Sequence, residues 1–291
     1  MEKKTRDEFI MSPKVDYCFK ELLTDPEVRK GLVAAILNVD PQEIQETELM
    51  PTVLSKDGLD GKYGILDVRI RMKDRSQIGL EMQVAPFTFW DRRIIFYLGK
   101  MYTEQMKTGE GYEKLQKCVH VSILDFIHFP NDQECFREIA LCDMKTKEKY
   151  TDQLEIYVLE LKKLPPEQQE EPLVIKWMRF LAGSKKEDFE KMAVKDEYIG
   201  EAYEVLQKLS ADERKQLEYD AGQKAMRDRM DFEYRMKQAM ERAERAEQVE
   251  RENARMNELY EKLLNAGRIQ DLQKAVSDEE YRKNLYEEFV L

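Results

Sequence analysis

The chain has 291 residues, 37% of them charged, and a formal net charge of −11, so it can form one large or two modest domains. The mean hydropathy is −0.69 and no apolar run approaches the roughly 20 residues of a membrane span, which excludes a membrane protein. The four cysteines lack zinc-type spacing and no apolar segment follows the basic N-terminus. We therefore expect a cytoplasmic protein with reduced thiols.

The acidic balance argues against a nucleic-acid partner, because phosphate binding favours a basic surface. Much of the acid lies in the C-terminal half, however, and basic residues gather around one central stretch of the sequence. They are Arg69, Arg71, Lys73, Arg75, Arg92, Arg93 and Lys100. Because the local field decides where a substrate docks, the net charge alone does not exclude DNA.

Residues 1–11 are expected to form a loose leader, followed by a helix with Ser12 as its N-cap and Pro13 at its first position. The apolar positions of this helix recur at helical spacing and predict a buried stripe of Val15, Phe19, Leu22 and Leu23. Asp16 and Lys20 lie one turn apart. Asp16 is either a first-turn acid favoured by the helix dipole or part of a site, and Lys20 either pairs with Asp16 or contacts phosphate.

Asp25 and Pro26 predict a second helix, which runs to about Leu37 with Val28, Leu32, Ala35 and Ile36 facing inward. Residues 47–54 predict a short strand at an edge or bulge because they contain Pro51. The turn-rich loop 57–61 carries Asp57 and Asp60, which we interpret as solvated acids rather than a cation site.

The stretch Tyr63–Pro86 organises the chain, because polar and apolar residues alternate in it twice. The alternation covers residues 66–72 and 77–84 and is broken by residues 73–76, which predicts a β-hairpin with one apolar face. A three-residue loop at 73–75 would place Asp67 directly opposite Glu81.

Two carboxylates about 5 Å apart would repel each other across the hairpin. Solvated acids are common on hairpins, but Asp67 and Glu81 each stand between apolar residues and are expected to be partly buried. A divalent cation between the two side chains would turn the repulsion into a binding site. Asp67 and Glu81 are therefore the main candidate metal ligands.

Residues 88–108 predict an amphipathic helix that starts close to Gln83. Arg92 and Arg93, near its start, are either surface arginines or contacts to phosphate. Residues 118–129 predict a fully buried central strand. The two histidines, His120 and His128, have no partner at ligand spacing, so we interpret them as packed or surface residues rather than metal ligands.

Two further strands are predicted at residues 136–140 and 154–161, and Pro165-Pro166 indicates a soft boundary. Beyond it the pattern is helical, with a long charged helix from about residue 212 to 265 and a final helical cap. A heptad register fits its later part and indicates a coiled coil, although a single helix or one folded on the core fits equally. The core positions of this register are Ala246, Val249, Asn253, Met256, Tyr260 and Leu263.

Asp67 followed by Glu81-Met82-Gln83 resembles the D…(D/E)-x-K core of the PD-(D/E)XK nuclease superfamily. It is most similar to the Rpn-type branch of recombination-promoting nucleases and nuclease-family transposases, in which Gln often replaces Lys. Three further segments carry the resemblance, namely Lys14–Lys20, Arg93–Tyr102 and Gly109–Phe126. The match covers about residues 11–131.

The resemblance implies an α/β fold with a restriction-endonuclease-like αβββαβ core and a mixed central sheet, followed by an all-α C-terminal region. We expect a nuclease-like domain at 1–165, a helical extension at 166–211, and the long helix with its cap at 212–291.

The resemblance also implies Mg²⁺- or Mn²⁺-dependent hydrolysis of DNA. Asp67 and Glu81 would be the metal ligands, Gln83 would orient water, Asp16 would assist, and Arg93 would bind phosphate. Lys20 is a second candidate phosphate contact. The alternatives are a nuclease fold that binds DNA or protein with little or no hydrolysis, and an assembly protein that forms a homodimer through its C-terminal helix.

Overall fold

The computed structural model describes residues 9–54 and 64–289. The chain divides into two compact units between Glu233 and Tyr234. The predicted loop acids Asp57 and Asp60, Tyr63 at the start of the hairpin stretch, and most of the predicted leader lie outside the described residues. Within the described part, no helix is long and apolar enough to cross a membrane.

The first unit is a mixed α/β structure, as the sequence predicted. Its strands are β1 (Thr47–Leu49), β2 (Val53–Leu54), β3 (Gly64–Ile65), β4 (Val68–Met72), β5 (Gln77–Gln83), β6 (Cys118–Leu124), β7 (Phe136–Ala140) and β8 (Leu154–Glu160). Its helices are α1 (Asp16–Leu22), α2 (Pro26–Leu37), α3 (Trp90–Thr103), α4 (Leu173–Ala182), α5 (Lys186–Ala193), α6 (Glu197–Ala211) and the first part of α7 (Glu213–Asn265).

Six strands form one sheet in the order β1-β4-β5-β6-β8-β7, and β2 pairs with β3 separately. β5, β6 and β8 run parallel, whereas β1, β4 and β7 are antiparallel to their neighbours. β6 is flanked on both sides and buried at every position, as predicted for the central strand. It ends at Leu124, however, so the predicted extension to residue 129 is wrong, and Ile127 is 55% exposed. This mixed sheet with flanking helices is consistent with a restriction-endonuclease-like fold.

The hairpin β4–β5 has the predicted register, with Val68 opposite Leu80 and Arg71 opposite Gln77. The loop is also the predicted three-residue one, because the Met72 amide donates to the Ser76 carbonyl at 2.9 Å. Arg75 adopts a left-handed conformation with φ of 69°, which lets so short a loop reverse the chain. Asp67 lies in a bend just before β4.

The two faces of the sheet differ in chemistry. One is apolar and packs against α1, α2, α4 and α6 in the main core. The other carries polar side chains and is covered by α3, so β5 is buried at every residue. The polar face of the hairpin is therefore buried as well, further than the partial burial predicted for Glu81. Arg69, for example, is only 5% exposed and bonds to Gln77 and Glu104.

The start of α1 differs from the prediction. Val15 takes the N-cap position, and Ser12 with Pro13 forms a turn that precedes the helix. The Ser12 amide donates to the hydroxyl of Tyr219 at 2.9 Å, a contact about two hundred residues away that local sequence could not indicate. The predicted cap Asp25 of α2 is present and accepts from the amides of Glu27 and Val28.

The strand predicted at residues 47–54 is interrupted. Residues 50–52 separate β1 from β2, and β1 forms an edge of the large sheet, as expected from Pro51. The helices beyond Pro165 contribute to the same core as the sheet, through residues such as Trp177, Phe180 and Leu206. The region set apart at 166–211 is therefore part of the first unit.

The second unit consists of the end of α7 with α8 (Ile269–Ser277) and α9 (Glu279–Glu288). Its small core contains Leu259, Leu263, Ala275 and Leu285. Leu263, a predicted heptad core residue, is thus buried within its own chain, whereas Val249 is 56% exposed. The coiled coil stays a prediction.

Candidate active site

Asp67 occupies a half-buried position between the hairpin and helix α1. Its Oδ2 accepts a hydrogen bond from the Met82 amide at 2.8 Å, and its Oδ1 lies 3.9 Å from Nζ of Lys20. Asp16 of α1 lines the same cavity as Asp67. Burial, followed by the charge of Asp16, raises the pKa of Asp67 to about 6. A cation between the carboxyl groups of Asp16 and Asp67 would stabilise the ionised form of Asp67 and so counteract both causes of its raised pKa.

Asp16 and Lys20 lie on one face of α1. Nζ of Lys20 donates to Oδ2 of Asp16 at 2.8 Å, which is the ion pair that the sequence favoured for these two residues. Both side chains are well exposed, so the pair contributes at most about 1 kcal/mol to stability. The Asp16–Lys20 pair matters because of where it lies, with Nζ of Lys20 3.9 Å from Oδ1 of Asp67.

Glu81 lies in the middle of β5 on the face that α3 covers, and is only 3% exposed. Its Oε2 accepts a hydrogen bond from Nη2 of Arg93 at 3.0 Å, and Nε2 of His120 lies 3.8 Å away. Burial raises the pKa of Glu81 to about 7 although Arg93 opposes the shift, and the charge of Asp67 raises it further. The two carboxylates therefore interact electrostatically.

The nearest partners of the two predicted metal ligands are different. Asp67 contacts side chains of α1, whereas Glu81 contacts Arg93 of α3 and lies near His120 of β6. The predicted register is confirmed, but the bend at Asp67 turns its carboxylate toward α1. A single cation held by both residues stays a prediction.

A cavity of about 160 Å³ adjoins Asp67. Its polar lining residues are Lys14, Asp16, Asp67, Gln83 and Arg229, and its apolar lining is Met82, Val84, Ala85, Gly222, Ala225, Met226 and Met230. It thus brings together three of the predicted site residues, Asp16, Asp67 and Gln83. Among the described residues, neither Glu81 nor Arg93 forms part of this lining.

Gln83 ends β5 at the mouth of this cavity. Its backbone carbonyl accepts from the Asp125 amide at 2.8 Å, which fixes the end of the strand beside β6. The side chain is 6% exposed and carries no charge at any accessible pH, so it can orient a water molecule but cannot accept its proton.

The two histidines are packed, as expected. His120 is fully buried, and burial followed by the charge of Arg93 lowers its pKa to about 3, so the ring is neutral. His128 packs against Trp90 and Phe129, with ring centroids 4.2 and 4.7 Å away. The sequence nevertheless did not indicate that His120 lies near Glu81. The two are close because β5 and β6 are parallel and pair Gly79 with His120, and Glu81 is two residues beyond Gly79 on the same face of β5.

Helix α7 supplies the part of the site that the sequence did not indicate. A Cβ on Gly222 would lie 3.4 Å from side-chain carbons of Tyr17 and Val15, so this helix packs closely along the start of α1. Arg229 follows two turns later and lines the cavity. Nothing in the charge-rich sequence of the helix distinguishes Arg229 from its neighbours. Only the tertiary fold shows that Arg229, and not a neighbouring charged residue, lines the cavity.

The donor set fits a hard divalent cation. Two carboxylates and an amide supply the oxygen ligands that Mg²⁺ prefers, and Mg²⁺ commonly keeps several waters while using one or two carboxylates. In residues 9–54 and 64–289, no group of three His, Cys, Asp or Glu side chains gathers closely enough to hold a metal by itself. The described residues would therefore supply only part of the coordination shell of a metal ion.

Comparison with known proteins agrees with this geometry. No curated protein and no solved structure gives a significant match to the chain. The family model of the PD-(D/E)XK nuclease family transposases, by contrast, matches residues 13–233, which include every site residue described above. The chain therefore belongs to the PD-(D/E)XK nuclease family transposases.

Proposed function

We propose that the first unit hydrolyses phosphodiester bonds of DNA with Mg²⁺ or Mn²⁺, in recombination or in the movement of a mobile element. The observation that carries the proposal is that Asp16 and Asp67 line one cavity with Gln83, close enough that the charge of Asp16 adds to burial in raising the pKa of Asp67, in a chain of nuclease family. Asp67, whose side chain is only 19% exposed, is costly to ionise beside a second acid unless a cation lies between them.

In this proposal Asp67 and Glu81 hold the cation, with help from Asp16 and the Met82 carbonyl. The cation would polarise a water molecule and offset the charge that develops on the phosphate. The Met82 amide fixes one oxygen of Asp67 at 2.8 Å, and this leaves Oδ1 for a further contact. The fold thereby orients the carboxylate before any ligand arrives.

Gln83 orients the attacking water by hydrogen bonding, because its amide can both donate and accept. Arg93 and Lys20 are the proposed contacts to phosphate oxygens. Each is held near the site by an ion pair, Arg93 with Glu81 at 3.0 Å and Lys20 with Asp16 at 2.8 Å. Arg93 also packs on the rings of Phe87 and Tyr97.

A second candidate is a nuclease fold that binds DNA or protein without hydrolysis. It is favoured by the Arg93–Glu81 pair, because a guanidinium at 3.0 Å already compensates one predicted metal ligand. The predicted homodimer through the C-terminal helix belongs to the same class, and measurement of mass in solution tests it. A cytoplasmic location is part of both proposals.

Nicking of supercoiled plasmid with MgCl₂ or MnCl₂ separates the candidates. Hydrolysis predicts metal-dependent nicking that is lost in Asp67→Asn, which keeps an acceptor for the Met82 amide but removes the charge. Glu46→Gln is the matched control, because Glu46 is exposed and outside the cavity. If wild-type protein binds Mg²⁺ in calorimetry but never nicks DNA, or if Asp67→Asn nicks at the wild-type rate, the hydrolytic proposal is wrong.

A further inference from the structure

The positive side chains that the sequence assigned to phosphate are already engaged with acids of the same unit. The same holds for Lys14, the other lysine at the cavity. The pairs are Lys14 with Asp125, Lys20 with Asp16 and Arg93 with Glu81, at nitrogen–oxygen distances of 3.1, 2.8 and 3.0 Å. An anionic ligand would have to compete with a carboxylate for each of these cations.

Arg229 differs from these three cations because it has no acidic partner among the described residues. It lines the same cavity as Asp67 and Gln83, its side chain is exposed, and in the part of the chain that the structure describes no carboxylate oxygen lies within 4.0 Å of its guanidinium. Its charge nevertheless acts on the site, since it partly opposes the rise that burial gives to the pKa of Glu81 and of Tyr97. Arg229 therefore offers hydrogen-bond donors at the cavity that no acid of the described chain occupies.

The chemistry of the guanidinium group indicates which class of ligand Arg229 would bind. Arginine presents planar, paired N–H donors that match the two non-bridging oxygens of a phosphodiester, and it stays charged at every physiological pH. The acids at the cavity would repel an anion by themselves, so a cation on the facing helix is needed for a phosphate to approach. α7 supplies that cation, because Arg229 lines the cavity together with Asp16 and Asp67.

We propose that Arg229 binds the non-bridging oxygens of a DNA backbone phosphate at this cavity. This proposal rests on the proposed function and adds a phosphate contact on α7 to those proposed for Arg93 and Lys20. Arg229 is then a substrate-binding residue, and the first part of α7 is one wall of the nucleic-acid site.

The test is binding of a fluorescently labelled DNA duplex with CaCl₂ in place of MgCl₂, measured by anisotropy over a series of salt concentrations. Arg229→Ala should weaken binding about tenfold, as expected for one charge-assisted contact. The slope of log K against log salt should also decrease in magnitude by about 1. Arg229→Lys should recover the slope and part of the affinity.

Arg227→Ala is the matched control. Arg227 is exposed on the same helix two residues earlier, points to another side of it, and does not line the cavity. It removes the same charge and should leave affinity close to wild type. Thermal unfolding of all three variants should coincide with wild type, because both arginines are exposed.

The outcomes separate this proposal from the hydrolytic one. If plasmid is nicked and Arg229→Ala binds and nicks like Arg227→Ala, the assignment of Arg229 is wrong and the hydrolytic proposal stands. If wild-type protein does not nick but its binding depends on Arg229 as described, the assignment stands and hydrolysis is wrong. If wild-type protein neither binds DNA nor nicks it, both proposals are overturned.

Discussion

Replacing Arg93 with methionine should destabilise the metal-free protein by an amount that increases with pH. Nη2 of Arg93 lies 3.0 Å from Oε2 of Glu81, and their side chains are 13% and 3% exposed. Methionine keeps the apolar stem that packs on Phe87 and Tyr97 but removes the guanidinium. The variant therefore tests the electrostatic contact with little change in volume.

The size of the effect follows from the ionisation state of Glu81. Above its raised pKa of about 7 Glu81 is charged, and a buried carboxylate that loses its partner costs about 3–5 kcal/mol. Well below that pKa Glu81 is protonated. The substitution then removes one hydrogen bond worth about 1 kcal/mol and ring contacts worth about 0.5–1 kcal/mol each. We therefore expect a loss of about 4 kcal/mol at high pH and about 2 kcal/mol at low pH.

The direction in which stability changes with pH follows from the difference between the folded-state and unfolded-state pKa values of Glu81. Folding raises the pKa of Glu81 from its usual 4.5, so the stability that this group contributes is fully present below pH 4.5 and is lost as pH rises through about 7. Without Arg93 the folded-state pKa rises further, and the loss continues to higher pH. His120 stays neutral across this window because burial lowers its pKa to about 3.

Urea unfolding with EDTA, followed by tryptophan fluorescence, measures the difference at about pH 5.5 and about pH 8.5. Arg92→Met is the control, because Arg92 is exposed, lies over the ring of Phe89 and makes no described ion pair with Glu81. It should change stability by no more than about 0.5 kcal/mol at either pH. Equal losses for Arg93→Met at both pH values would refute the electrostatic reasoning.

Three further predictions follow from the fold. Wild-type stability in EDTA should fall between about pH 5 and pH 8, because burial raises the pKa values of Asp67 and Glu81, and urea titration should find a flatter profile in Asp67→Asn/Glu81→Gln. Gly31→Ala should destabilise by about 1–3 kcal/mol, since its Cβ would lie 2.5 Å from a carbon of another helix, whereas Gly99→Ala, in open space, should stabilise by about 0.5–1 kcal/mol in urea. A chain ending at Glu233 should melt within about 3 °C of the full-length first unit in calorimetry, because that unit's core is complete before this residue.

The hairpin shows what a local pattern can predict. A period of two specifies which residues share a face, and a one-residue slip would move Val68 and Leu80 off the core, so the register follows from sequence alone. The pattern could not show that α3 covers the other face. Arg69 looks like a surface residue in sequence and Glu81 was expected to be only partly buried, and the packing of α3 buries both.

The roles of the predicted site residues stay predictions, but the structure shows which of them lie together. Asp16, Asp67 and Gln83 line one cavity, whereas Glu81 does not line it. Arg93 was assigned to phosphate from its position in the chain, yet its nearest acid is Glu81. Ion pairing depends on side chains that approach from other elements, so a position in the sequence does not decide it.

The first part of α7 has more in common with the sheet than with the end of its own helix. Tyr219 is buried in the main core and its hydroxyl accepts from the Ser12 amide, so this segment fixes the chain that leads into α1 and Asp16. The family match ends at the residue where the first compact unit ends, and the last residue lining the cavity, Met230, comes just before it. A contiguous nuclease-like domain ending near residue 165 would lack this wall of the cavity. We infer that the functional domain extends to Glu233, and that Arg229 belongs to the domain that binds substrate rather than to a helical tail.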